Sequence, residues 1–151
     1  MIRFGDVFSI STSKGDAYFQ YVSKNPQMGW MIRVLPGIYS ECPEDMSALV
    51  DKETNFWIFF PVAAALRRKL TAKIGRFKIP EHSQKMPIFR AGIRHSVTKK
   101  VENWWLWDGE REWMVGEITE DQRKLPIRGI WNDTLLIKRI EDGWLPEHDT
   151  A

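Results

Sequence analysis

Apolar and polar residues alternate in three short segments of the first forty residues, at 6–10, 17–22 and 29–35. Turn residues separate these segments, and Pro36-Gly37 ends the third. Alternation over so few residues, bounded by turns, is typical of strands with one buried face. The pattern therefore predicts an antiparallel meander at the start of the chain.

The central part of the chain predicts two further strands around a short helix. The aromatic run at 56–60 (FWIFF) places large apolar residues on both faces, which predicts a central strand covered on both sides. Pro61 ends this strand and opens a helix through about Leu70. Residues 75–80 are predicted as a strand and 81–100 as irregular.

Two polar segments carry helix signals. Residues 41–54 predict a loop or one short helix. Near the end, Asn132 or Asp133 can cap a helix that stops at Gly143, and a strand over 135–140 is the alternative.

A hairpin is predicted around Asp108-Gly109, because Asp-Gly between alternating segments is a strong turn signal. If the loop has an even number of residues, the hairpin has two consistent faces. One face is then predicted to lie in the core. The other mixes aromatic and acidic residues and is predicted to be partly exposed. A three-residue loop with a bulge would scramble this assignment, and the sequence leaves that open. The core face contains Trp104, Leu106, Trp113 and Val115, and the other face contains Trp105, Trp107, Glu112 and Met114.

These elements predict a single domain over residues 1–151 of the α+β class, mostly β. We expect a curved antiparallel sheet or a partly open barrel with two or three short helices. Hydrophobic residues make up 43% of the chain and charged residues 28%, a balance typical of globular proteins.

Several features indicate a cytoplasmic protein without a membrane segment. The longest apolar region, 55–66, is too short for a bilayer and contains Pro61. The first residues lack the apolar segment of a secretory signal, and a single cysteine, Cys42, suits a reducing compartment.

Charge is distributed unevenly although the formal net charge is only +2. Six basic and no acidic residues lie between 62 and 80, whereas 102–121 contains seven acidic residues against Arg111 alone. Either these are two solvated faces, or they form a bipolar surface that steers a charged partner.

The sequence shows no recognisable catalytic or metal-binding pattern, so we expect no cofactor, no metal and no enzymatic activity. His82, His95 and His148 lie at spacings that do not aim two imidazoles at one point. Acidic neighbours disfavour a reactive thiolate at Cys42. Nucleophile-elbow and phosphate-binding glycine motifs are missing. A pair of carboxylates that meets only in the fold stays open.

The eight tryptophans are interpreted first as core residues. Trp105 and Trp107 fit equally well a protein-contact patch, since tryptophan is favoured at binding hot spots. Their acidic surroundings argue against stacking on nucleic acid, which needs a basic groove. Core packing is predicted for Trp30, Trp57, Trp104, Trp113 and Trp131.

Several landmarks follow one another in a familiar order. The chain opens with Phe4-Gly5-Asp6-Val7-Phe8-Ser9-Ile10, and the later landmarks are Phe59 to Leu66, Ile74-Gly75, Pro87 to Arg90, Trp105 to Gly109, Leu125-Pro126 and Ile140 to Trp144. In this order and spacing, from about residue 3 to 144, the chain resembles the immunity protein 26 family of bacterial polymorphic toxin systems.

The resemblance implies a small cytosolic protein, encoded beside a toxin, that binds the cognate toxin domain and blocks it without catalysis. The family pattern singles out no toxin-contacting residues. From the residues themselves, we expect the contact to involve one of two groups. These are Trp105, Trp107, Glu110 and Glu112, or Arg67, Arg68 and Lys69.

Three other interpretations stay open. A small β-barrel could bind nucleic acid or peptide through the basic segment 67–78. A site of carboxylates or histidines assembled in the fold would make the protein an enzyme. An exposed strand edge, or the face of Trp105 and Trp107, could instead serve a homodimer.

Overall fold

The computed structural model describes residues 1–151. It contains eight strands in two antiparallel sheets and four short α-helices. The strands are β1 (Asp6–Thr12), β2 (Gly15–Asn25), β3 (Gly29–Val34), β4 (Phe56–Phe59), β5 (Thr71–Arg76), β6 (Phe89–Ala91), β7 (Trp104–Trp107) and β8 (Glu112–Gly116). The helices are α1 (Met46–Asp51), α2 (Val62–Arg67), α3 (Glu120–Arg123) and α4 (Asp133–Glu141). The larger sheet has the order β4-β3-β2-β1-β5 and the smaller one β6-β7-β8. The predicted mostly-β α+β class is confirmed, and neither sheet closes into a barrel.

The first three strands form the predicted meander. Phe8 lies opposite Phe19 in the pairing of β1 with β2, and Phe19 lies opposite Val34 in the pairing of β2 with β3. Alternate residues of these strands enter the main core, which α4 covers with Leu136 and Ile140. The alternation predicted these strands correctly because one of their faces packs against this common core.

The prediction that the aromatic run at 56–60 is a central strand is wrong, because β4 is the outermost strand of its sheet. It is covered on both faces, as predicted. Phe56 and Ile58 enter the main core, while Phe59 packs on the other side with Phe89 and Trp107. The second cover therefore comes from the smaller sheet.

Within residues 61–80, the predicted end of the helix and the predicted range of the strand are both wrong. Helix α2 ends at Arg67 instead of Leu70, and Lys69 then adopts a left-handed conformation with φ of 60°. This turn brings Thr71 opposite Ile10, so the strand runs over Thr71–Arg76 and not over 75–80. Within the predicted irregular region, Glu81–Ser83 forms a 3₁₀ turn and Phe89–Ala91 forms β6, which is too short to show alternation.

The helix signals were correct where a cap could be identified. The side chain of Asn132 accepts a hydrogen bond from Leu135 N at 2.8 Å at the start of α4. Gly143 follows its end with φ of +65°, so the alternative strand over 135–140 is wrong. The polar segment 41–54 contains α1, and α3 was not predicted, which makes four helices instead of two or three. None of the helices combines the length and the apolar character that a membrane span requires.

The hairpin of β7 and β8 forms around Asp108-Gly109, but the predicted faces are only partly right. Trp104 and Leu106 are buried, as predicted, whereas Trp113 is 39% exposed. Trp107 is only 3% exposed, so its assignment to the partly exposed face is wrong. It is buried because Phe59 of the larger sheet covers this end of the face.

The segment 126–131 connects the two sheets through backbone hydrogen bonds. Arg90 N donates to Pro126 O at 2.8 Å, and Trp131 N donates to Phe59 O at 2.9 Å. The segment thereby lies along β6 on one side and β4 on the other. Because this segment covers the outer sides of β4 and β6, the strands that keep an unpaired edge are β5 and β8.

Candidate protein-binding surface

Exposed apolar residues concentrate on the smaller sheet and its connections. Seven of the ten exposed large hydrophobic residues lie between 88 and 130. Three of them belong to the hairpin: Trp105, Trp113 and Met114, which are 38%, 39% and 59% exposed. Trp105 and Met114 lie opposite each other in the pairing of β7 with β8, so their side chains share one face.

A cleft of about 550 Å³ opens beside Trp105. Two of its basic residues are already paired: Arg94 with Asp149 at 2.8 Å, and Arg128 with Glu112 at 2.9 Å. These ion pairs fix the cleft walls but leave Glu102 without an ion pair. Other residues that line it are Ala91, Ile93, His95 and Asn103.

The segment 102–121, which contains the hairpin, is rich in exposed acidic residues. All seven are exposed: Glu102, Asp108, Glu110, Glu112, Glu117, Glu120 and Asp121. Arg111 is the only basic residue among them, and Arg128 compensates Glu112 from outside the segment. The segment that contains the hairpin therefore carries a net negative charge, which favours a positively charged partner.

The hairpin turn is held by one of these carboxylates. Asp108 Oδ1 accepts hydrogen bonds from Arg111 N at 2.8 Å and from Glu110 N at 3.0 Å. These backbone donors lower the pKa of the Asp108 carboxyl below its usual range, so it is ionised at neutral pH. The turn thus adds a fixed negative charge beside β8.

The basic candidates lie beside the larger sheet, in α2 and in the turn that follows it. Arg67, Arg68 and Lys69 are exposed where α2 leads into β5. Arg68 approaches Asp133 at 3.7 Å, and Lys73 pairs with the buried Asp6 at 3.2 Å. The structure therefore places the two predicted groups at different sheets, and none of these basic residues lines the cleft beside Trp105.

Of the predicted aromatic and acidic group, the structure leaves three residues accessible: Trp105, Glu110 and Glu112. Trp107 is buried beneath the guanidinium of Arg128, which lies 5.3 Å from its ring centroid. Sequence reasoning missed Trp113 as a surface residue, whereas it placed Met114 correctly on the partly exposed face without naming it as a candidate contact. Alternation placed Trp113 in the core, and nothing in the sequence marks β8 as an outer strand.

The histidines and the cysteine do not come together. His82 Nδ1 lies 2.8 Å from Ser83 Oγ and its Nε2 lies 2.9 Å from Asp51 O. His95 Nδ1 accepts from Val97 N at 3.1 Å and so organises its own loop. Cys42 is exposed, and no group of three or more potential metal-ligating side chains is present.

Comparisons of the chain with protein-family profiles, with curated proteins and with solved structures find no match. Membership of the immunity protein 26 family therefore stays a prediction from the residues quoted above.

Proposed function

We propose that this protein is a non-enzymatic, cytoplasmic binding protein that neutralises a cognate toxin domain by direct contact. We define its binding surface, the hairpin surface, as Trp105, Glu110, Glu112 and Met114. The resemblance described above supports the toxin as partner. The observation that carries the choice of surface is the pairing of exposed Trp105 with exposed Met114 on a hairpin that also exposes Glu110 and Glu112.

Trp105 has the properties of an interface anchor. Its ring is partly supported by its own sheet, since 38% of the residue is exposed, and the cleft beside it gives a partner side chain room to contact the ring. Tryptophan in such a position contributes a large contact area at a small cost in conformational entropy. Met114 extends this apolar contact, because a flexible thioether adapts to irregular partner surfaces.

The charges around these two residues select the partner. Glu110 at the turn has no ion pair, and the ionised Asp108 lies two residues before it. A toxin domain that acts on nucleic acid or on another anionic substrate presents basic residues at its active site. Such a surface complements the hairpin surface, and covering it would block the toxin.

The experiment begins with capture of the partner from the native host by the tagged chain, followed by purification of the captured toxin domain. We expect Trp105→Ala to weaken its binding by about 30-fold or more in titration calorimetry, as expected for loss of a hot spot worth about 2 kcal/mol. The same variant should fail to rescue growth of cells that express the toxin.

The matched control reverses the charge of the other predicted group, as Arg67→Glu/Arg68→Glu/Lys69→Glu. These residues are exposed, so folding should be preserved, and binding should change by less than about threefold. Loss of binding in the control with full binding in Trp105→Ala would assign the contact to the basic group. Capture of no toxin-like protein would contradict the immunity function.

A further inference from the structure

The backbone of β8 is an unpaired strand edge. The segment 126–131 runs along β6 at one side of the smaller sheet, whereas β8 at the other side pairs only with β7. An unpaired edge presents a row of N–H and C=O groups that can accept a further strand.

The hairpin register identifies the outward groups. Asp108 N donates to Arg111 O at 3.1 Å, which makes this a hydrogen-bonded pair next to the turn. Hydrogen-bonded and non-hydrogen-bonded pairs alternate along an antiparallel ladder. Trp107 with Glu112 and Trp105 with Met114 are therefore non-hydrogen-bonded pairs. The backbone N–H and C=O groups of Glu112 and Met114 point away from β7.

The edge of β8 also lacks the protection seen at the other free edge. Strand β5 carries Lys73 and Arg76, exposed basic residues of the kind that discourage edge pairing. Strand β8 contains neither lysine nor proline, and it exposes Trp113 on one face and Met114 on the other. A strand added here would cover both exposed side chains.

The charge of β8 indicates whether a second copy of this chain or a different protein pairs with its edge. Two β8 edges in contact would bring together two segments that each carry Glu110, Glu112 and Glu117 against Arg111 alone, so the like net charges of the two copies repel each other. A segment with alternating basic residues would instead place opposite charges across the pairing. The acidic edge therefore fits an extended basic segment of a different protein.

We propose that β8 binds an extended, basic segment of the partner by antiparallel or parallel strand addition, with Met114 and Glu112 supplying the backbone hydrogen bonds. This inference rests on the proposed function, because it describes how the partner engages the hairpin surface. The predicted contact combines main-chain hydrogen bonds, which give affinity, with acidic side chains, which give specificity.

The test selects random twelve-residue peptides on phage against the purified full chain and so does not depend on the toxin. Enriched peptides should be basic, with positive residues at alternate positions. In fluorescence anisotropy, Met114→Pro should weaken their binding at least tenfold, because proline removes the outward N–H. Met114→Ala, the matched control, also loses the thioether contact but keeps the N–H, so its binding should weaken clearly less than that of Met114→Pro.

A second measurement keeps the proposal testable if Met114→Pro does not fold. Peptides N-methylated at alternate positions should lose binding to the unchanged protein in one of the two methylation registers, since only one register faces β8. Enrichment of neutral or acidic peptides, no enrichment, or equal binding by both N-methylated registers would overturn the proposal. A β8-dependent dimer in light scattering would also overturn it, by assigning the edge to a second copy. Failure to capture a toxin, with basic peptides still bound at β8, would reject the immunity function alone.

Discussion

Replacement of Arg33 by alanine should lower the free energy of unfolding by about 3–5 kcal/mol, because it leaves buried acceptors without their donor and opens a cavity. Arg33 is 0% exposed and lies in β3. Its guanidinium donates from Nη1 to Gln20 Oε1 at 2.6 Å and from Nε to Thr54 Oγ1 at 2.7 Å. Its Nη2 donates to the carbonyl oxygens of Val50 and Lys52 at 3.0 and 2.8 Å.

These bonds join the larger sheet to the connection that follows α1. Gln20 continues the network by donating to Gly5 O at 3.1 Å and Phe77 O at 3.0 Å. Burial lowers the pKa of Arg33 to about 10, so the side chain still carries its charge at neutral pH. Alanine would leave the Gln20 side-chain oxygen and two carbonyls buried without a donor, and would open a cavity.

Urea denaturation followed by circular dichroism measures this effect. The midpoint should fall with little change in the dependence on urea concentration. Arg67→Ala is the matched control, since Arg67 is exposed and forms no ion pair, and it should change stability by less than about 0.5 kcal/mol. Similar small effects in both variants would show that the Arg33 network does not hold α1 to the sheet.

Replacement of Arg90 by alanine should destabilise the protein by about 2–4 kcal/mol through loss of hydrogen bonds from a charged donor. Arg90 is 0% exposed, and its Nη2 donates to Pro146 O at 2.7 Å and Arg123 O at 3.2 Å. Its guanidinium lies 4.5 Å from the ring centroid of Trp104. Burial lowers its pKa to about 10, and Asp149 partly opposes this shift, so Arg90 also stays charged.

Local unfolding in Arg90→Ala should begin near the C-terminal end, because the hydrogen bond from Arg90 to Pro146 O connects this end to the smaller sheet. Limited proteolysis should cleave the segment that follows Trp144 faster in Arg90→Ala than in the unchanged protein, and the near-ultraviolet circular dichroism of the aromatic residues should weaken. Arg94→Ala removes a partly exposed ion pair with Asp149 and should cost under about 1 kcal/mol. An effect of Arg94→Ala equal to that of Arg90→Ala would contradict this account of the anchor.

The sequence predicted those elements whose residues report directly on their surroundings. Strands β1 to β3 were recognised because alternation follows from one buried face, and α4 because Asn132 and Gly143 mark its ends. Strand β6 escaped detection because three residues cannot establish a period. The position of a strand within a sheet depends on distant pairing, so neither the edge position of β4 nor that of β8 could be predicted.

In the candidate site, too, the sequence predicted what depends on local pattern and not what depends on contacts with distant elements. Trp105 and Trp107 share a face in the sequence pattern, yet only Trp107 is buried, because Phe59 from another sheet covers it.

Likewise Arg33 and Arg90 were not predicted as buried, since a charged residue normally indicates a solvent-facing position. The apolar neighbours of Arg33 in GWMIRVL were the one available signal. Its partners, Gln20 and Thr54, come together only in the fold.

Hydrogen–deuterium exchange on the complex with the captured toxin domain measures whether the hairpin forms the interface. We expect slower exchange in β7 and β8, over 104–107 and 112–116, when the toxin domain is bound, with no change over 67–76. The amides of Glu112 and Met114 should show the largest protection. Protection of 67–76 with unchanged exchange in β8 would contradict the account and assign binding to the basic edge of the larger sheet.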